Sequence, residues 1–245
     1  VSHLSSIITG AKLEPPRIVL YGPEGVGKTT FGAAAPSPIF LPFEDGQGKL
    51  NAPRFPRITE WAQLMAYMND LITGQHNFKA AVLDTADWLE PIVWKQTCLR
   101  NKWASIEDPG YGKGYLAACD EWLVVLQGLD RMRDRGMMVI VLAHSQIKTF
   151  KDPAVGPYDR YEMKLQSRGC DLLREWSDAV LFATYKVDIA KTDVGFKKVV
   201  TRGSGDGVRT IWTQERPSHQ AKNRYGMSPE VPMEFGAVMA DMFKP

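Results

Sequence analysis

The sequence predicts an α/β fold on a mostly parallel, doubly wound sheet, with a β-rich extension toward the C-terminus. Three observations predict it. Short apolar runs at 17–21, 38–43, 79–85 and 137–146 alternate with stretches of helical periodicity. The first run leads into GPEGVGKTT (22–30), which gives the order strand, loop, helix and the P-loop spacing of Gly22, four residues, Gly27, Lys28 and Thr29. A chain of 245 residues with 44% hydrophobic content can bury one substantial core, and a second full domain is not expected. The expected organisation is an N-terminal segment over 1–16, a candidate for intersubunit contact, and a single domain over 17–245.

RIVLY (17–21) is apolar and β-branched, and KTTFGAAA after the loop suits a helix. Between them Gly22, Pro23, Glu24, Gly25, Val26, Gly27, Lys28, Thr29 and Thr30 are expected to wrap a triphosphate. Glycines let successive backbone N–H groups point inward, Lys28 supplies positive charge near the β and γ phosphates, and Thr29 can ligate magnesium. The helix that starts there adds its positive dipole end. ATP and Mg²⁺ are therefore the expected ligands.

PIFLPF (38–43) reads as a second strand closed by the turn EDGQG. In 59–73, Trp61, Leu64, Met65, Met68, Leu71 and Ile72 keep helical spacing and mark a core-facing stripe. KAAVLDT (79–85) is a third strand ending in an acid, 86–102 a helix and ASIEDPGYGKG (104–114) a loop. From Tyr115 to Arg135 the apolar positions again recur at helical spacing, and Arg131, Arg133 and Arg135 complement the helix dipole at its end. MMVIVLAHSQ (137–146) is a fourth strand, followed over 147–169 by an expected long loop.

Ligands of such sheets sit beyond the carboxyl ends of the strands, so the polar residues there are the candidates. Asp84 would face the same crevice as Thr29 and hold magnesium through its water shell. Glu44, with Asp45 as its neighbour and competitor, could deprotonate an attacking water. Gln146 or His144 could hydrogen-bond the γ-phosphate and report its loss to the next segment.

Lys and Arg total 30 against 28 acids, and the net charge of +2 does not by itself announce nucleic acid or membrane. Between Lys186 and Arg224, however, nine basic residues face four acidic ones. Cys98, Cys119 and Cys170 form no paired motif, which speaks against a disulfide framework or zinc site and for a reducing, cytosolic setting. The longest wholly apolar run, 137–143, is too short to span a bilayer, and the first residues lack a secretory pattern.

These elements resemble the RecA-like ATPase core, in which a Glu follows the second strand, an Asp closes the third and a polar sensor closes the fourth. IFLPFEDG looks like the strand carrying the catalytic Glu, AVLDTADWL like the Walker-B strand, and VIVLAHSQIK like the sensor strand leading to a DNA-binding loop. AKNRYG (221–226) is similar to the Lys-x-Arg motif of DnaB-type helicases, which implies that Lys222 and Arg224 reach a neighbouring subunit's nucleotide. With YGKGY (111–115) and LAHSQIKTF, the chain resembles, over residues 14 to 243, the phage ATP-binding proteins of the Sak group. That resemblance implies an ATPase of single-strand annealing or recombination, phage-encoded and active in the cytoplasm of a bacterial host. The implied partners are single-stranded DNA, further copies in a ring or filament, and a single-strand binding protein. A ring helicase or translocase and an ATP-switched replication loader are the competing classes.

Two segments would carry DNA. The first offers Tyr111 and Lys113 among glycines; the second offers Lys148, Lys151, Arg160, Lys164 and Arg168 interleaved with Phe150, Tyr158 and Tyr161. Rings stack on bases of any identity while basic groups pair with phosphates.

Overall fold

The computed structural model describes residues 4, 9–10, 14–45, 51–186, 188–193 and 199–244; for 188–193 and 199–204 only the backbone is described. The N-terminal segment and the turn after Glu44 therefore lie mostly outside the described residues.

The chain runs β1 (Arg17–Gly22), α1 (Lys28–Ala33), β2 (Pro38–Pro42), α2 (Trp61–Thr73), β3 (Ala80–Asp84), α3 (Ala86–Asn101), α4 (Lys113–Asp134), β4 (Met138–Asp152), β5 (Gly156–Met163), α5 (Ser167–Trp176) and β6 (Ala179–Tyr185). The C-terminal part is β7 (Asp188–Asp193), β8 (Val199–Ser204), β9 (Arg209–Trp212), β10 (Lys222–Asn223), β11 (Glu230–Pro232) and α6 (Phe235–Met242). This is the β-rich extension, with β7 and β8 forming a separate ribbon.

The main sheet has the order β11-β9-β6-β1-β4-β3-β2. Its five central strands, β6 to β2 in that order, are parallel, while β9, β10 and β11 add antiparallel pairings at one side. Alternation in β1 shows why both faces must be covered. Val19 and Tyr21 enter a core roofed by α2, α3, α4 and α5, and Ile18 and Leu20 enter a second core beneath α1 and α6. Helix α1 lies close on the sheet because Gly32 has no side chain, and a Cβ there would meet Val82 at 2.8 Å. Glu60 and Gln63 close a reciprocal capping box at the start of α2, which fixes where that helix begins.

Register aligns the carboxyl ends. Gly22 lies opposite His144, and Asp84 lies opposite both Leu142 and Pro42, so the phosphate loop, His144, Asp84 and Glu44 gather at one edge.

One expectation is overturned. The segment 147–169 is not a long loop, because β4 continues to Asp152 and pairs antiparallel with β5 from Ser145↔Met163 to Asp152↔Gly156. Asp152 accepts the N–H groups of Ala154 and Val155 in the turn, and Gly156 supplies the positive φ of 87° that closes it. The loop before α4 is present but ends earlier than expected, since α4 starts at Lys113.

Candidate functional site

The phosphate loop folds back on itself through its own lysine. Lys28 is buried, and its Nζ donates to the carbonyls of Gly22 (3.0 Å) and Pro23 (2.9 Å). Burial lowers its pKa, against the opposing pull of Asp87, Glu44, Asp84 and Glu24. Gly25 and Gly27 take φ values of 73° and 104°, which other residues adopt only under strain. Gly22 is required for a separate reason: a Cβ there would lie 2.2 Å from the Ala183 carbonyl of β6.

The loop borders a cavity of ≈ 930 Å³. Lys28, Thr29, Glu44, Asp84 and His144 all line it, as the strand-end argument expects. Thr29 and the buried Asp84 bring a hydroxyl and a carboxylate to the same wall, which fits magnesium held beside a triphosphate. Among the described residues, no cluster of three or more His, Cys, Asp or Glu forms a metal cage of its own.

Between Glu44 and Asp45 the geometry discriminates. The Asp45 side chain is 78% exposed and paired with Arg57 at 2.6 Å, outside this cavity. Glu44 faces inward, and burial raises its pKa; His144 and Lys28 pull it down while Asp84 and Asp87 push it up. A carboxylate with raised pKa and an open path to the cavity suits a proton acceptor.

Between His144 and Gln146 the outcome is equally clear. Gln146 Nε2 donates to the carbonyls of Met163 (3.0 Å) and Leu165 (3.4 Å), so it ties the hairpin to the start of α5 and does not line the cavity. Its expected sensor role is corrected to that of a strut. His144 does line the cavity, and Asp87 fixes it twice: Oδ1 accepts the backbone N–H at 2.9 Å and Oδ2 meets ring Nδ1 at 2.8 Å. Burial would raise the pKa of Asp87, but its hydrogen bonds with His144 and Thr85 outweigh that and hold it low.

Asp87 and Glu90 escaped the sequence reading. Both sit on α3, which follows the Asp84 strand, so an acid one turn into that helix was the available signal. Glu90 is 5% exposed and lines the cavity, as do Trp88, Trp94 and Lys164. Both its oxygens accept the backbone N–H of Gln166 at 3.1 Å, and burial pushes its pKa up to about 7.

The predicted DNA residues separate into groups. Tyr111 is fully exposed with φ 50°, and Lys113 is exposed at the start of α4. Cross-strand pairing puts Lys148, Tyr158 and Arg160 on one hairpin face and Lys151 and Tyr161 on the other. Arg160 is a correction: it is 8% exposed, donates to Glu162 (2.8 Å) and Glu215 (3.3 Å), and lies 3.8 Å over the Phe150 ring. Tyr161 stacks on Phe182, which leaves one ring face for other contacts. Lys164 sits at the cavity wall, its N–H bonded to the His144 carbonyl, and Arg168 is exposed in the first turn of α5.

Lys222 and Arg224 are not in this chain's cavity. In β10 Lys222 lies opposite Val180, and just after it the Arg224 N–H donates to the Asp178 carbonyl at 3.2 Å, so both sit at the beginning of β6, the opposite end of the parallel strands from the phosphate loop. Lys222 Nζ is committed to the carbonyls of Arg174 (2.7 Å), Glu175 (2.9 Å) and Ser177 (2.7 Å), where it caps the end of α5. All three of its N–H donors are used, so its expected reach to a neighbour is corrected to a structural anchor. Arg224 is 53% exposed and makes a single-point contact to Asp178 at 3.2 Å.

A family model described as an AAA domain matches residues 14–225. None of the curated proteins searched matches the sequence. Among solved structures, the RadB recombinase is similar at 15% identity and a TM-score of 0.42, over 86% of this chain and 91% of that one. The flagellar accessory protein FlaH from Methanocaldococcus jannaschii is similar at 10% identity and a TM-score of 0.44, over 91% and 88% respectively.

Proposed function

We propose, for a chain that belongs to the AAA domain family, that it is a magnesium-dependent ATPase that works on single-stranded DNA. The observation that carries this reading is the convergence of Lys28, Thr29, Asp84, Glu44 and the Asp87-bound His144 on one cavity. Lys28 exchanges its two loop carbonyls for triphosphate oxygens. Thr29 and Asp84 would hold magnesium, which neutralises charge developing on the phosphates. Glu44 accepts a proton from the attacking water, and His144, held in one orientation, meets the γ-phosphate and registers its departure.

The DNA part rests on the hairpin. Strand β4 carries His144 at the cavity and continues directly into the hairpin that presents Lys148, Lys151, Phe150 and Tyr158. A change at the γ-phosphate thus acts at the base of a basic, aromatic projection suited to single strands. Tyr111, Lys113 and Arg168 supply further exposed contacts. The resemblance to the Sak group supports assigning this work to phage-type recombination or strand annealing, in a homo-oligomer where Arg224 faces a neighbour's nucleotide.

ATP turnover measured with and without single-stranded DNA tests the reading, alongside Lys28→Ala. Turnover that is DNA-stimulated and lost in Lys28→Ala supports it. Turnover indifferent to DNA removes the DNA assignment, and turnover unchanged in Lys28→Ala removes the site.

A further inference from the structure

The phosphate loop must turn its N–H groups inward, and its carbonyls then point outward, where each needs a donor. Gly22 and Pro23 receive Lys28, and the Gly27 carbonyl receives the helical N–H of Phe31 at 3.0 Å. Of the three carbonyls between them, those of Gly25 and Val26 are held by side chains from distant strands. Tyr185 donates its hydroxyl to the Gly25 carbonyl at 3.0 Å, and Arg209 donates Nη1 to the Val26 carbonyl at 3.2 Å.

These two donors are direct cross-strand partners, Tyr185 on β6 and Arg209 on β9. The sheet therefore presents them side by side to two consecutive carbonyls of the loop. In a trans peptide the C=O and the following N–H point in opposite directions. Holding the Gly25 carbonyl outward turns the Val26 N–H inward, and holding the Val26 carbonyl outward does the same for the Gly27 N–H. Those amides are among the ones a P-loop offers to phosphate oxygens. Gly27 completes the fit, because a Cβ there would lie 2.4 Å from Arg209 Nη1.

We propose that Tyr185 and Arg209 are positioning residues that brace the phosphate loop from outside and pre-set its inward amides for the nucleotide. The inference rests on the nucleotide-binding reading and deepens it. Neither side chain touches the phosphates; both act through the loop backbone. Preorganisation of this kind strengthens binding of any nucleotide that fills the loop, and it leaves the hydrolytic step to Glu44 and His144.

The test uses the full chain with Tyr185→Phe, which removes only the hydroxyl, and Arg209→Met and Arg209→Lys, which separate loss of the donor from loss of side-chain bulk. Tyr185→Phe and Arg209→Met should each raise the Kd for ATP and for ADP by the same factor, about three- to tenfold for one lost hydrogen bond. KM should rise in step, kcat should stay within twofold, and Arg209→Lys should recover much of what Arg209→Met loses. Unfolding of the nucleotide-free chain should not move, since both donors lie on the surface side of the loop. Wild-type affinity in Tyr185→Phe and Arg209→Met overturns the brace, as does a fall in kcat with Kd unchanged. If wild type binds no nucleotide, or Lys28→Ala binds as wild type does, the nucleotide reading fails. If wild type binds, Lys28→Ala does not and both brace variants bind normally, the brace alone is rejected.

Discussion

Glu90 lines the cavity with its pKa pushed up to about 7, where an ordinary glutamate has 4.5, and that displacement makes a stability prediction. Burial is its main cause; the Gln166 N–H opposes it, and Asp87, three residues earlier on α3, adds to it. Below pH 4.5 the group is protonated folded or unfolded and contributes no pH dependence. Between 4.5 and about 7 the folded state holds a proton that the unfolded state has released, so stability falls as pH rises. Above that window the folded chain bears the whole penalty, about 3 kcal/mol at ~1.4 kcal/mol per pH unit. Glu90→Gln keeps an oxygen that can accept from Gln166 and removes the titration. In denaturant titrations of the nucleotide-free chain at pH 5 and pH 8, wild type should lose about 2.5 kcal/mol more than the variant does, the rest of the penalty being already incurred at pH 5. Glu44, Asp87 and Asp178 titrate in both proteins and cancel in the comparison. An anionic nucleotide in the same cavity should favour the protonated acid, so calorimetry near pH 7 in buffers of different ionisation heat should show proton uptake in wild type that the variant lacks. Parallel pH profiles of stability in the two proteins would refute the reasoning, because the charge of Glu90 would then cost nothing on folding.

Glu44→Gln should keep ATP bound and slow hydrolysis by about a hundredfold or more, while Asp45→Asn stays near wild type in the same steady-state assay; the opposite result reassigns the base. Asp87→Asn should loosen His144 and lower kcat more than it raises KM, read from the same kinetics, whereas equal binding loss would make Asp87 a binding group. Lys148→Ala and Lys151→Ala should each flatten the dependence of log DNA affinity on log salt by about one unit, and a slope equal to wild type in both removes the hairpin as the phosphate contact. Arg160→Ala should instead cost about 1–3 kcal/mol of stability in denaturant, because it removes the buried charged donor of Glu162 and leaves that carboxylate only Gln220 at 3.2 Å and Lys148 at 3.9 Å. Lys28→Ala and Arg224→Ala should each be nearly inactive alone and regain turnover when mixed, and a mixture that exchanges subunits yet stays inactive ends the trans role of Arg224.

What could be read from the sequence depended on how local its cause is. The phosphate loop is a contiguous spacing, and Asp84 and Glu44 stand where apolar strands stop, so a parallel sheet forces them to one edge. The hairpin is local too, yet it read as a loop because its strands carry polar and aromatic residues on both faces with no apolar alternation. The overlooked signal was Asp152 followed four residues later by Gly156, which makes the turn. Lys222 sits in a motif whose spacing is intact, but its use is set by three carbonyls at the end of α5, about 45 residues earlier in the chain.

The remaining functional contacts join residues that no periodicity could connect. Glu90 meets Gln166 across 76 positions, His144 meets Asp87 across 57, and Arg209 meets Val26 across 183. Each joins two elements by hydrogen bonding beside the cavity: the Gln166 N–H donates to Glu90, the His144 N–H to Asp87, and Arg209 to the Val26 carbonyl. The residues that would touch nucleotide are announced by strand ends and glycine spacing, whereas those that orient them are chosen by which strands the sheet brings alongside. Arg209 shows the division. Its Nη1 lies 2.4 Å from where a Cβ of residue 27 would stand, a contact its flexible end can relieve, so the φ of 104° is what holds position 27 to glycine, while Arg209 is tied to the loop through its hydrogen bond to the Val26 carbonyl.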